Sequence, residues 1–111
     1  MKTEPVIIVA GVECVKGKEK EFNDWYNSTF PPMLIKIPGV TRIDRYQHLR
    51  EDDAHPAFLS IVEVASEEAL AAMVNSDALW ELGKFYFEGG SKWDLQLRWT
   101  THYKRIYSSE D

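Results

Sequence analysis

An α+β fold, one four-stranded antiparallel sheet with helices on a single face, is predicted by three features of this 111-residue chain. Residues 6–13 and 57–64 are apolar at consecutive positions, as in strands buried on both faces. Two stretches of helical periodicity alternate with the strand-like runs. Residues 25–40 read as a helix end, a proline break, a short helical turn and a Pro-Gly turn into a strand.

The first strand is expected over residues 6–13, bounded by Pro5 and Gly17. Gly17 opens the charged run 18–21, after which Phe22, Trp25, Tyr26, Thr29 and Phe30 recur at helical spacing and give the helix an aromatic face. Pro31-Pro32 is expected to end it, because proline lacks the amide donor and crowds the preceding turn. Pro38-Gly39 then leads into a strand over 40–49. Residues 50–56 read as a charged hairpin loop, and 57–64 as the third strand. Ser66 is a suitable N-cap, with Glu67 and Glu68 in the first turn and Leu70, Met73 and Val74 as a stripe. Asn75-Ser76-Asp77 interrupts this helix; Asp77 is expected to cap a second piece that carries Leu79, Trp80, Leu82, Gly83 and Phe87 and ends at Gly89-Gly90. The last strand is expected over 95–107, with Leu95, Leu97, Trp99, Thr101 and Tyr103 on one face. Residues 108–111 form a polar tail. The order β-α-β-β-α-β is the ferredoxin-like arrangement, built as one domain over residues 1–111.

Composition narrows the function. A net charge of −5 with no clustered Lys or Arg argues against a nucleic-acid partner. The apolar run 6–12 is too short to cross a membrane, so no membrane association and a cytoplasmic location are expected. The lone Cys14 has no disulfide partner and reads as a small buried or edge residue rather than a nucleophile. His48, His55 and His102 fall in different elements, so neither a metal nor another cofactor is expected. There is no Gly-rich phosphate loop, because Gly89-Gly90 follows a helix instead of opening one.

With Trp25-Tyr26, Pro32, Leu34, Pro38-Gly39 and the strand Arg42-Ile43-Asp44-Arg45-Tyr46 in place, the chain resembles the dimeric α+β barrel superfamily, and within it the small EthD-like proteins. The resemblance covers nearly the whole chain. Phe30 stands where relatives often have His, so acid–base work done by that His is not available here. The resemblance implies a homodimer and the handling of a small molecule, for example by a cofactor-free cyclase, isomerase or oxygenase acting on an aromatic or polyketide-like compound. Non-catalytic binding and a structural dimer with a filled core are the other readings.

His102, mid-strand between Thr101 and Tyr103, is the general-base candidate, since imidazole titrates near neutrality. Tyr46 is its expected catalytic partner. Trp25, Tyr26 and Trp99 are expected to line the ligand, in room left between helices and sheet by the Pro31-Pro32 break. Trp25, Tyr26, Phe30, Trp80, Phe85 and Phe87 read most simply as core between helices and sheet, and a pocket for a flat aromatic ligand in that gap is the sharper alternative. On the second strand, Arg42, Asp44 and Tyr46 share one face, and Arg45 and Gln47 share the other. Apolar residues on both faces of the central strands, Ile7 and Val9 as well as Val6 and Ile8, predict a second copy packed on the uncovered face.

Overall fold

The computed structural model describes residues 4–50, 52 and 54–110. The start of the chain, Glu51 and Asp53 of the charged loop, and Asp111 of the tail lie outside the described residues. The elements are β1 (Val6–Glu13), α1 (Glu19–Leu34), β2 (Val40–Gln47), β3 (Phe58–Val64), α2 (Glu67–Val74), α3 (Asp77–Gly90) and β4 (Gln96–Lys104), with a single 3-10 turn at Ser91–Trp93 before β4. The strands form one antiparallel sheet in the order β2-β3-β1-β4, so β2 and β4 are its edges.

Alternation along the strands divides the sheet cleanly. Val6, Ile8, Ala10 and Val12 of β1 and Phe58, Val62 and Val64 of β3 join the core beneath the helices. Phe22, Tyr26 and Phe30 of α1 descend onto them at spacings of four, the period that stacks side chains on one helix face. Phe22, Phe30, Val12 and Val64 are the largest fully buried side chains. Leu79, Leu82 and Tyr86 of α3 complete the layer. Trp80, Phe85 and Phe87 do not, as α3 is rotated to put them towards solvent; Trp80 is 70% exposed.

Pro31-Pro32 does not end α1. The helix runs one more turn, to Leu34, and the Ile35 amide reaches the Pro31 carbonyl at 3.0 Å. A proline's φ suits a helix; what it forfeits is its own amide bond, and buried Phe30 and half-buried Leu34 hold the turn on the core regardless. The break expected to leave room there is therefore not made. At the following turn, Gly39 has φ +96° and a Cβ there would lie 2.8 Å from the Ala69 Cβ. Only glycine satisfies both the left-handed backbone and the close approach.

Two further boundaries shift. Ser76, not Asp77, caps α3, its hydroxyl accepting from the Leu79 amide at 3.3 Å, while Ser66 caps α2 as expected, accepting from the Ala69 amide at 3.0 Å. In β4 a register shift opposite Gly11 and Val12 breaks the even alternation. Trp99, Thr101 and Tyr103 oppose Gly11, Val9 and Ile7 on the helix-free face, whereas Leu97 opposes Val12 and Leu95 packs on the core. A bulge of this kind moves side chains to the other face, which a strict period of two cannot anticipate.

Candidate functional site

The expected site residues do not converge. Trp25 and Tyr26 lie in the helix–sheet core, Trp25 packed 4.8 Å from Trp93 and 5.2 Å from Phe30 between ring centroids. Trp99 is on the helix-free face of β4. Tyr46 is on the same face of β2, opposite Leu59, at the far edge of the sheet. His102 opposes Ile8 on the helix side of β4, in an open groove of about 540 Å³ beside Leu70, Ala71 and Val74 of α2. Tyr46 and His102 thus occupy opposite edges and opposite faces, and within one protomer they form no pair. The groove at His102 is broad, with an aliphatic wall of Val6, Leu70, Ala71 and Val74 rimmed by Glu67, Asn75 and Lys104.

A polar cluster that the sequence reading left without a role sits inside the core instead. Arg45 is on the helix-facing side of β2, paired in register with Ser60. Its guanidinium carbon lies 4.0 Å from the centroid of the Tyr26 ring and 5.5 Å from that of Phe58. Nη1 donates to the side-chain oxygens of Asn23 and Asn27, each at 2.9 Å. These asparagines are four residues apart on α1, so one helix face clamps one end of the fork. Nε and Nη2 are buried and have no hydrogen-bond partner, and among the described residues no carboxylate pairs with Arg45. Burial lowers its pKa, but a guanidinium keeps its charge.

Three hydroxyls lie around the ring on which Arg45 stacks. Tyr26 Oη is 3.4 Å from Ser60 Oγ and donates to Tyr86 Oη at 3.4 Å. Burial, then the neighbouring Tyr26, pushes the Tyr86 phenol well above its ordinary range, so it stays protonated. Phe30, where the resemblance implies His, is core filling, with its ring centroid 4.6 Å from Tyr86 and 5.0 Å from Tyr26.

A cavity of about 410 Å³ opens at the end of the helix–sheet gap nearest this cluster. Cys14, Gln47 and Phe58 form its inner wall and His48, Asp52 and His55 of the β2–β3 connection its outer one. Gln47 follows Arg45 on the same strand face, about 6–7 Å along. The cavity therefore ends about one side chain short of the guanidinium. Desolvation, reinforced by the Glu19 charge, raises the Cys14 pKa to about 11, so at neutral pH the thiol is not a nucleophile.

Both features had signals in the sequence. Alternation put Arg45 and Gln47 on one face of β2 without deciding which face the helices cover; once Ile43 of the same face is seen to pack on the core, Arg45 becomes a charge at a core position, the informative kind of exception. Asp52 lies four residues after His48 and three before His55, a spacing hidden while the histidines were assigned to separate elements.

No protein-family model matches the chain, and no curated protein sequence does. Solved structures do. HapK from Hahella chejuensis superposes with a TM-score of 0.69 at 12% identity, covering 94% of this chain and 95% of that one. An ethyl tert-butyl ether (EthD) family protein from Bacillus halodurans gives 0.65 at 15% identity over 94% and 100%. SnoaB, a cofactor-independent oxygenase from Streptomyces nogalater, gives 0.63 at 14% over 98% and 100%. At these identities the likeness is one of fold, and it extends over nearly the whole length: the chain has a ferredoxin-like α+β fold, shared with an EthD family protein and with a dimeric ferredoxin-like protein from Thermobifida fusca.

Proposed function

We propose that this chain handles a small aromatic or polyketide-like compound bearing an acidic oxygen, and that it does so as a homodimer. The observation that carries the reading is Arg45, whose Nε and Nη2 are buried and unpaired. Those two donors form the side-on fork of a guanidinium, spaced for a carboxylate or for one strong oxyanion. A buried donor pair without partners is costly in a protein that never uses it. Tyr26, Tyr86 and Phe58 supply flat apolar surface around the fork, and the protonated Tyr86 hydroxyl can donate a hydrogen bond to a ligand oxygen but does not act as a base. Cyclisation, isomerisation and oxygenation of such compounds share an enolate or phenolate, and a fixed cation beside that oxygen lowers the barrier to forming it. The fold shared with a cofactor-independent oxygenase supports this reading. Phe30 favours a second one, binding without turnover.

The homodimer rests on the helix-free face of the sheet. Ile7, Val9, Leu59 and Ile61 line its centre, while Trp99, Tyr103 and Tyr46 remain 42%, 59% and 54% exposed. A second sheet packed on that face would cover them. Sedimentation should give twice the 12.9 kDa chain mass, and Ile61→Lys should give the monomer. A wild-type monomer at micromolar concentration refutes the dimer.

The ligand is tested by calorimetric titration with hydroxynaphthoate and its methyl ester. Arg45→Met should weaken binding of the acid by about 10- to 100-fold, the range of a charge-assisted hydrogen bond, and leave the ester unchanged. Equal loss for acid and ester, or no loss, refutes an anion at Arg45. Saturable binding without product on prolonged incubation with a panel of such compounds would favour the binder over the enzyme.

A further inference from the structure

We propose that His48, Asp52 and His55 form a binding site for a divalent first-row transition-metal ion at the mouth of the 410 Å³ cavity. One nitrogen from each imidazole and one Asp52 oxygen all lie within 4.8 Å of one another. His55 Nδ1 is 2.9 Å from Asp52 Oδ1, and His48 Nε2 is 3.7 Å from Asp52 Oδ2. With metal–ligand bonds of about 2.0–2.2 Å, neighbouring ligand atoms of one ion stand about 2.9–3.6 Å apart. The first separation already matches a coordination shell, the second lies just outside it on the other carboxylate oxygen, and side-chain rotations within the 4.8 Å cluster bring one atom of each residue onto a single ion.

The hairpin builds this arrangement before any ion arrives. Asp52 Oδ1 accepts from the backbone amides of Ala54 and His55 at 3.1 and 2.9 Å, which fixes the carboxylate at the loop's turn. That leaves Oδ2 for another partner. The two imidazoles stack at 5.3 Å with 15° between planes, so their nitrogens face the same carboxylate. His48 is anchored at the end of β2, where its amide donates to the Ala57 carbonyl at 2.8 Å. Two imidazoles and one carboxylate suit Zn²⁺, Co²⁺, Ni²⁺ or Fe²⁺, and poorly suit Ca²⁺ or Mg²⁺, which prefer all-oxygen shells. Three protein ligands leave coordination positions open for water or a ligand, and the same cavity is lined by Cys14, Gln47 and Phe58.

Two hydrogen bonds must change: the one between His55 Nδ1 and Asp52 Oδ1 at 2.9 Å gives way to the ion, and so does one at His48. His48 Nδ1 accepts from the Arg50 amide at 3.0 Å, which in a neutral ring places the proton on Nε2. An ion at Nε2 moves that proton to Nδ1 and releases the Arg50 amide to water. The residue is exposed, so the exchange is inexpensive, and it marks this site specifically. The site is independent of the anion at Arg45: a metal-free protein should bind hydroxynaphthoate, and a ligand-free protein should bind the ion.

The test titrates untagged, chelator-treated full-length protein with Co²⁺, read by its visible absorption, and with Zn²⁺, read by calorimetry. One ion per chain is expected, with a chemical-shift change at the Arg50 amide in the nitrogen-15 spectrum. His55→Ala and His48→Gln should each weaken binding by about tenfold or more, and His102→Gln should not. His55 is exposed, so His55→Ala leaves the fold intact. The absence of saturable binding, binding retained in both variants, or an Arg50 amide that does not respond overturns the site and leaves the cluster as a clasp of the loop.

Discussion

Replacing Arg45 with methionine separates a functional arginine from a structural one, because the first role predicts almost no change in stability and the second a large loss. Nε and Nη2 are buried donors without partners, each costing the folded state about 1–3 kcal/mol. Methionine removes that cost and keeps an apolar stem over Tyr26 and Phe58. What is lost is two hydrogen bonds to Asn23 and Asn27, about 1.5 kcal/mol each at the low end of charged donors since Asn27 is exposed, and a cation–π contact of about 0.5–1 kcal/mol. The two sides nearly cancel. The expected change is within about 1 kcal/mol, or roughly 4 °C in Tm for a chain of this size, by chemical and thermal denaturation of the ligand-free protein. Added hydroxynaphthoate should raise Tm for the wild type and much less for the variant, since a ligand at a hundred times its Kd stabilises by about 2.7 kcal/mol. A loss of about 3 kcal/mol or more without ligand would refute the reasoning. It would mean that the guanidinium is a fully satisfied structural ion, whose removal strands its partners.

Gly39→Ala should cost about 2–3 kcal/mol, from left-handed backbone strain plus the 2.8 Å approach to Ala69; Gly17→Ala, at φ +91° with nothing within 4 Å, should cost only about 1 kcal/mol, and equal losses in urea denaturation would remove the packing argument. Ser66→Ala should destabilise by about 1 kcal/mol through loss of the bond to the Ala69 amide, while Ser66→Asp should largely restore it in the same assay. Cys14, raised to about 11 from a reference of 9.0, should react with iodoacetamide near neutral pH about a hundredfold more slowly than in urea, where desolvation and the Glu19 charge are gone. The sign follows from the thiolate being disfavoured in the folded state: the thiol's contribution to stability is complete below the unfolded pKa and is lost as pH rises through the folded one. Equal rates in both conditions would contradict it.

The fold was legible where local and global preferences agree. Apolar strands, capped helices and the Pro38-Gly39 turn each depend on neighbours in sequence, and each appears with its bounds shifted by at most a few residues. The errors come where tertiary contact decides. Pro31-Pro32 is a helix breaker in isolation, yet Phe30 and Leu34 anchor the turn on either side of it. The phase of α3 is set by which of its many aromatics fits over β1 and β3, and Tyr86 rather than Phe85 or Phe87 turns inward. The face of Leu97 depends on a bulge that no period records.

The site was less legible because chemistry arises from pairs that the fold selects. His102 looked suited to catalysis as a single residue, but the strand order places it at the edge farthest from Tyr46. Arg45 looked like one of several charges on an edge strand. Its significance lies in what surrounds it: two asparagines four apart on α1, a tyrosine ring beneath the guanidinium, and, among the described residues, no acid to meet its second pair of donors. The β2–β3 hairpin gives the same lesson in a shorter span. Three residues that read as loop become a preformed set of donors only because Asp52 caps the turn with one oxygen and points the other at His48. A hairpin loop can reach such an arrangement without disturbing the core, and the Arg45 cluster can bind an anion without disturbing the loop. The two sites therefore sit on elements that tolerate change separately, one at the mouth of the cavity and one beyond its inner wall. A compound bound to both would span the cavity from its open end towards Arg45. That argument predicts that Arg45→Met and His55→Ala act additively on the affinity for an elongated aromatic acid in the presence of Zn²⁺, whereas strong non-additivity in the double variant would show that the two sites are coupled through a shared rearrangement.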